Sequence, residues 1–461
     1  MGRPAKHQQA YQRAHGLPAA PRPRTLQGQP MKFIFADSLD FVDPGYDFVN
    51  DRNTPNRKPY WDDAYPHEIM GYAPYDGVLV SRGIVGDHRI KGKYTESQAM
   101  RFRRVGVREF MRLDKPQFAN LALFGDCGAF TYVAQDVPPY TPGDTAEFYD
   151  DCGFTHGCSV DHIIFDYDET LVGFAGGSAE AKRRYDITLE NADVFWRETR
   201  DMKRFTPLGV VQGWSPNSMA EAARSLVAMG YTYLAIGGMV PLKSEQIKTC
   251  LAAIRAAIPA STRLHILGFA KANEIDSFGA YNITSFDTTS PLIRAFKDAK
   301  QNYFLRDDDG QGALRYYTAI RVPQAIENPR LTRLIKQGTF KAEDLSKLEV
   351  ESLAALRAFD KGERDLESVL EPVLKYNAII ATDQAYEAVR HTAVMQRLES
   401  AYRETLTKRP WKACGCPICS QAGIEVMLFR ASNRNKRRGI HNLAVYKTLI
   451  DDLTSLAGDA E

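Results

Sequence analysis

Residues 208–238 read LGVVQGWSPNSMAEAARSLVAMGYTYLAIGG, and the fold turns on this stretch. An apolar run, Leu208 to Val211, gives way to the polar turn Gln212-Gly213. Ser215 followed by Pro216 is a helix start: a serine oxygen can accept from the free N–H groups of a first turn, where proline has no N–H to leave unsatisfied. Gly230 punctuates the amphipathic segment that follows, and Tyr233 to Ile236 is a second apolar run ending at Gly237-Gly238. The uncharged span from Ser225 to Leu242 has membrane-crossing length. Gly230, Gly237, Gly238 and Pro241, with Tyr231, Thr232 and Tyr233 in its middle, make it instead a helix end, a turn and a buried strand. The unit is strand, helix, strand.

The same unit recurs on both sides. Further apolar runs are Lys32 to Ala36, Gly77 to Ser81, Leu121 to Gly125, His162 to Phe165, Leu264 to Leu267 and Tyr281 to Phe286. Thr95 with Gln98, and Ser290 with Pro291, supply further helix starts. Eight strands alternating with helices predict an α/β fold, a TIM-like (β/α)8 barrel, whose site lies at the carboxyl ends of its strands. A doubly wound sheet is the runner-up. Beyond residue 310 the pattern becomes long, charged, Leu- and Ala-spaced segments, Ala342 to Phe359 and Thr382 to Leu406, with a final helix from about Asn442. The expected division is a mobile basic tail over 1–30, a barrel over 31–310, and a helical region with a zinc-binding subdomain over 311–461.

Of 461 residues, 44% are hydrophobic and 25% charged, values that exclude a disordered, collagen-like or disulfide-stapled chain. Fifty-nine Lys and Arg against 57 Asp and Glu leave +2, so a nucleic-acid surface has to be a local patch. The candidate is Arg430, Arg434, Lys436, Arg437 and Arg438, between Glu425 and Asp451 with no intervening acid. Arg101, Arg103, Arg104 and Arg108 form a weaker one. The first thirty residues hold Arg3, Lys6, Arg13, Arg22 and Arg24 but no apolar leader, so a cytoplasmic protein without a membrane partner is expected.

Cys414, Cys416 and Cys419, followed by His441, offer three thiolates and an imidazole, the tetrahedral set that zinc prefers. Four protein ligands leave no open position, which makes the expected Zn2+ structural. At the strand ends stand Asp126, Asp166, Gln212, Gly237, Gly238 and Asp287. Each has a bland explanation as a turn or cap residue. Together they form a ring of carboxylates, an amide and flexible backbone suited to a polar heterocycle and to displacement chemistry. Ile164 to Val172 carries a rival, because it resembles the nucleophile motif of haloacid-dehalogenase-like phosphatases. That reading would make Asp166 the phosphorylated group, Asp168 the acid, Lys271 the phosphate clamp, and Asp307 with Asp308 the magnesium ligands.

The combination resembles the tRNA-guanine transglycosylase superfamily over roughly residues 75 to 450. Gly125-Asp126-Cys127-Gly128-Ala129-Phe130 is similar to its Thr-Asp-Ser-Gly-Gly-aromatic segment, and Phe286-Asp287 followed by Pro291 to its Phe-Asp-x-x-x-Pro segment. Phe165-Asp166, Val211-Gln212-Gly213, Gly237-Gly238, Leu267-Gly268 and the cysteine cluster follow in the family's order. Cys127 stands where the family has serine, Ala129 where it has glycine, and His441 arrives slightly early. Within the superfamily, Phe35 to Asp40, Tyr65 to Glu68, Pro74 to Gly77, Val80 to Arg82 and Val137 to Thr141 resemble the DNA-acting, DpdA-type branch.

The resemblance implies exchange of guanine in DNA for a 7-deazaguanine base, 7-cyano-7-deazaguanine (preQ0). It implies Asp287 as nucleophile in a covalent aspartyl-DNA intermediate and Asp126 as the acid and base. Asp166 would accept from the base, Gln212 and the Gly238 N–H would donate to its carbonyl, Gly237 would adjoin them, and Phe130 and Leu267 would sandwich the ring. The target nucleotide has to leave the duplex. A partner ATPase and a homodimer are left open. The alternatives are the same chemistry on tRNA, a non-catalytic nucleic-acid-binding subunit, and the phosphatase.

Overall fold

The computed structural model describes residues 31–269, 271–306 and 313–458; the basic tail expected over 1–30, and Asp307 and Asp308, lie outside them. Eight parallel strands close on themselves in sequence order: β1 (Lys32–Ala36), β2 (Gly77–Ser81), β3 (Ala122–Asp126), β4 (His156–Cys158), β5 (Thr206–Val211), β6 (Tyr233–Ile236), β7 (Arg263–Ile266) and β8 (Ser285–Thr288). β1 pairs with β2 on one side and β8 on the other, so the sheet has no free edge. The fold is the (β/α)8 barrel, and the open doubly wound sheet is excluded.

Strand parity sorts the side chains. Ile34, Leu79, Phe124, Leu208, Val210, Tyr233 and Ala235 form one cluster inside the barrel, whereas their neighbours Phe33, Phe35, Val78, Val80, Leu234 and Phe286 face the surrounding helices. Alternation along a strand then sends Asp126, Gln212, His265 and Asp287 to the inner side. The helices outside are α1 (Pro66–Met70), α2 (Glu96–Phe110), α3 (Pro142–Asp151), α4 (Ala179–Thr199), α5 (Pro216–Met229), α6 (Ser244–Ala257) and α7 (Ser290–Lys297). Thr95 caps α2 and Ser215 caps α5 through the N–H groups of Gln98 and Ser218, as the sequence signals predict. The N-cap position of α7 falls at Thr289, one residue before the expected Ser290, and its side chain makes no capping hydrogen bond.

Two strands differ from their sequence expectation. The fourth is His156–Cys158 and not His162 to Phe165, which runs without regular structure. Its three residues carry no apolar run, because the strand buries itself by backbone. A Cβ on Gly157 would lie 2.4 Å from the Tyr149 ring and one on Gly125 2.3 Å from it, so the ring of α3 wedges onto the glycine faces of β3 and β4. The eighth begins at Ser285, after a 3-10 helix over Ala272–Tyr281, and therefore contains Asp287 instead of preceding it.

The C-terminal region is helical, with α8 (Ala342–Lys361), α9 (Leu366–Thr382), α10 (Ala393–Lys408) and α11 (Ser432–Gly458). The single segment expected from Thr382 to Leu406 is broken at Asp383, which adopts a left-handed conformation (φ 62°). The final helix starts ten residues earlier than its apolar pattern, for a reason that bears on the site. Among the described residues, no helix is long and apolar enough to cross a membrane.

Candidate active site and metal centre

A cavity of about 800 Å³ opens at the carboxyl ends of β1, β7 and β8 and along α7, its lining including Phe130, Val240, Gly268, Asp287, Arg294 and Lys297. Asp287 is 6% exposed. Its Oδ1 accepts from the Gly268 N–H at 2.9 Å and lies 3.3 Å from His265 Nε2. Asp126 ends β3 at the rim, where the Gly128 N–H donates to its Oδ1 at 2.6 Å. Burial pushes its carboxyl up to about 7, against that hydrogen bond, and the charges of Asp161 and Asp287 push the same way. At that value the group exchanges protons near neutral pH.

Gln212 is buried just past β5, its Nε2 donating to Asp161 Oδ2 at 2.7 Å and its Oε1 accepting from the Ile164 N–H at 3.3 Å. A Cβ on Gly237 would fall 2.3 Å from that amide, so only glycine lets Gln212 lie across the end of β6. Gly238 follows in a left-handed conformation (φ 73°). Leu267 packs on the barrel's inner cluster. Phe130 is 60% exposed at the mouth, its ring 6.5 Å from that of Phe165. Asp166 is exposed on the loop between β4 and α4 and accepts from Ser178 Oγ at 2.6 Å. Asp168 is turned back onto Thr170 N and Oγ1 at 2.9 and 2.7 Å.

Two site residues escaped the sequence reading. Asp161 is 4% exposed and receives both Gln212 and the Cys127 thiol, the latter at 3.1 Å. Burial raises its carboxyl above the usual range. Its signal was the position of β4: with that strand ending at Cys158, Asp161 is a strand-end residue like the others. His265 was hidden inside an apolar strand, where a lone polar residue of inward parity was the available sign.

Cys414, Cys416, Cys419 and His441 present their ligand atoms within 4.8 Å of one another. His441 Nδ1 is 3.5, 3.4 and 3.4 Å from the three sulfurs. Tetrahedral zinc with ordinary Zn–N and Zn–S bonds separates N from S by about 3.6 Å, so the donors fit that ion. The tautomer fits too. His441 Nε2 faces the Phe304 carbonyl at 2.7 Å and must donate to it, which leaves Nδ1 bare for a metal. The Tyr303 ring stacks on the imidazole at 4.1 Å. The cluster could hold a metal ion with all four positions filled by protein, a structural arrangement.

No family model matches this chain. The DNA-guanine transglycosylase of Salmonella montevideo is 40% identical over 431 residues, which is 93% of this chain and 99% of that protein. The chain belongs to the guanine transglycosylase family. It is an enzyme of the transglycosylase class, and its barrel mouth is where that family membership directs attention. The phosphatase alternative loses its basis, since its motif lies on a barrel loop with Asp168 closed into a turn.

One sequence expectation is overturned by the structure of this transglycosylase. The basic patch is interior: Arg430, Arg434, Arg437 and Arg438 are 6, 0, 2 and 0% exposed. Arg430 and Arg434 pair with Asp51, Arg434 also with Glu425, Arg430 with Glu349, and Arg357 with Glu425. Three cations thus face three anions. Arg437 donates to the Asp43 carbonyl, Lys436 lies 3.2 Å from the Phe41 carbonyl, and Arg438 donates to the carbonyls of Val426, Leu428 and Ala295. The segment fastens the loop after β1 to α11, and of the five cations Lys436 alone is half-buried instead of buried. In the sequence it reads as a phosphate-contacting edge because the first buried positions of this helix (Arg434, Arg437, Arg438) are cationic, and its buried apolar residues begin only at Ile440. The weaker group is also largely engaged, with Arg103 on the Gly86 carbonyl and Arg108 on those of Leu113, Phe118 and Leu121.

Arg434→Met therefore tests stability. Asp51 and Glu425 would be left without one of their buried partners, at a cost of about 3–5 kcal/mol. Urea unfolding measures it, and an unchanged midpoint would return this arginine to the surface.

Proposed function

We propose that this transglycosylase exchanges guanine in DNA for a 7-deazaguanine base, preQ0 on the resemblance described above, through a covalent intermediate on Asp287. The observation that carries the reading is Asp287 itself: a carboxylate on the wall of the mouth cavity, with Asp126 on the same rim. DNA as the polymer rests on the name of the relative.

The reaction follows from two carboxyls in different environments. Asp287 attacks the anomeric carbon of the flipped nucleotide as the bond to guanine breaks, and Asp126 gives the departing base its proton. The incoming base then loses a proton to Asp126 and displaces Asp287, so two inversions leave the sugar configuration unchanged. Gln212, oriented by Asp161, offers its second N–H to the base carbonyl beside the Gly238 N–H, and Asp166 at the rim accepts from the base's N–H groups. Phe130 and Leu267 cover its faces. A zinc ion held by Cys414, Cys416, Cys419 and His441 would be structural, tying α11 to the cysteine segment.

A phosphate contact is proposed for Arg294, Lys297 and Lys300, which line the cavity of Asp287; Lys297 and Lys300 are exposed. Lys297→Ala with Lys300→Ala should reduce the slope of log affinity against log salt by up to roughly two units, equally on different DNA sequences. An unchanged slope would place the backbone elsewhere.

The sign of the pH dependence follows from Asp126. Its value near 7 lies above the ordinary 3.8, so the protonated form is present below about 7 and lost as pH rises through it. Guanine release in a single turnover should fall across that range, whereas capture of the incoming base should rise. A release rate flat from pH 5.5 to 8.5 would remove Asp126 from the acid role. The function itself is decided by incubating the protein with labelled guanine and either DNA or tRNA: label is expected in DNA, and label in tRNA alone would overturn the choice of polymer.

A further inference from the structure

We infer that His265 is a positioning residue for Asp287, and that it speeds the breakdown of the covalent intermediate more than its formation. The inference rests on the reading of Asp287 as nucleophile and concerns what lies beneath it.

His265 sits on β7 with inward parity and is completely buried. Its Nε2 is 3.3 Å from Asp287 Oδ1, its Nδ1 is 2.5 Å from Ser285 Oγ, and that oxygen is 2.6 Å from the Tyr233 hydroxyl. A carboxylate oxygen can only accept, so Nε2 carries the hydrogen, and in the tautomer with its one proton there Nδ1 accepts from Ser285. Ser285 Oγ is then free to accept from Tyr233. Burial pushes the Tyr233 phenol up to about 12, which keeps it a donor. The four residues form one chain of hydrogen bonds running in a single direction, from Tyr233 through Ser285 and His265 to Asp287. The Phe124 ring, stacked on the imidazole at 5.0 Å, holds its plane.

The chain ends on one oxygen. The Gly268 N–H also reaches Oδ1, and among the described residues no hydrogen bond reaches Oδ2. Oδ2 is thereby the oxygen that bonds to the anomeric carbon, and Oδ1 becomes the ester carbonyl. When the incoming base attacks, the C1′–Oδ2 bond breaks, its electron pair returns to the carboxylate, and the negative charge is shared with Oδ1. Donors on Oδ1 bind that charged state more strongly than the neutral ester. They make Asp287 the better leaving group.

The test compares His265→Phe, which keeps a flat ring and removes the donor, with His265→Gln, which can place an N–H near the same point. Adduct formation and adduct breakdown are timed separately, by rapid mixing with DNA and then by chase with free guanine. His265→Phe is expected to slow breakdown by about ten- to a hundredfold, the range for one hydrogen bond to a charged group, and to raise the steady-state fraction of adduct. His265→Gln should recover most of the rate. Ser285→Ala removes the donor to Nδ1 while leaving the ring in place. It should slow breakdown by a smaller factor, which keeps the test usable if His265→Phe does not fold. Unchanged breakdown in both His265→Phe and Ser285→Ala would overturn the inference, as would His265→Gln behaving like His265→Phe. If the wild-type protein exchanges guanine without any adduct, the reading of Asp287 fails first and this one falls with it; a wild-type adduct with indifferent variants sinks only the role of His265.

Discussion

Asp287→Asn is expected to lose guanine exchange by on the order of 10⁴-fold or more, the scale seen when the nucleophile of a covalent mechanism is removed. An amide cannot form the ester, so no DNA adduct should survive a denaturing gel. The fold should be unaffected, because the asparagine Oδ1 still accepts from the Gly268 N–H and His265 Nε2. That separation makes the variant informative: equal melting temperature with absent turnover assigns the chemistry to one carboxylate. Asp126→Asn is the companion. It should bind DNA and fail to complete exchange, since the departing guanine finds no proton. Full turnover by Asp287→Asn would move the nucleophile to another carboxyl of the mouth.

The second large effect concerns Cys416→Ala. Metal binding by a closed Cys3His site contributes directly to folding, by roughly 10 kcal/mol or more in isolated zinc modules. Part of that contribution should disappear here, lowering the melting temperature by at least about 10 °C. The consequence reaches beyond the cluster. His441 lies on α11, where Asn442 Nδ2 donates to the Pro291 carbonyl at 3.0 Å, and Pro291 belongs to the helix that follows Asp287. Loss of the metal should therefore lower exchange as well as stability. Elemental analysis of wild-type protein is the direct check: well-folded protein with a zinc stoichiometry near zero would remove the metal.

Much of this was legible in the sequence where chemistry is local. β1, β2, β5 and β6 are apolar runs bounded by glycine or polar turns, and the cysteine spacing announces three sulfur donors within six residues, with His441 following 22 residues after Cys419. What stayed hidden depends on partners far away in the chain. β4 is His-Gly-Cys, and it is a strand because Tyr149 covers a face without a side chain. Misplacing it concealed Asp161. The run from Arg434 to Arg438 looks like a solvated charge cluster unless Asp51 and Glu425 are known to meet it inside the protein. Charge composition cannot distinguish an outward-facing cation from one matched to a buried anion.

That buried match also fixes when the enzyme becomes complete. Arg434 and Asp51 are 383 positions apart in the chain, and Arg434 and Phe48 are 386 apart. During synthesis the loop after β1 emerges early and waits for its anchor until more than 380 further residues have been made. Meanwhile Asp51 stays hydrated. Contacts of such sequence separation close late and slowly. The loop and α11 consequently dock after the eight barrel strands are available, because β8 ends at Thr288 and α11 starts at Ser432.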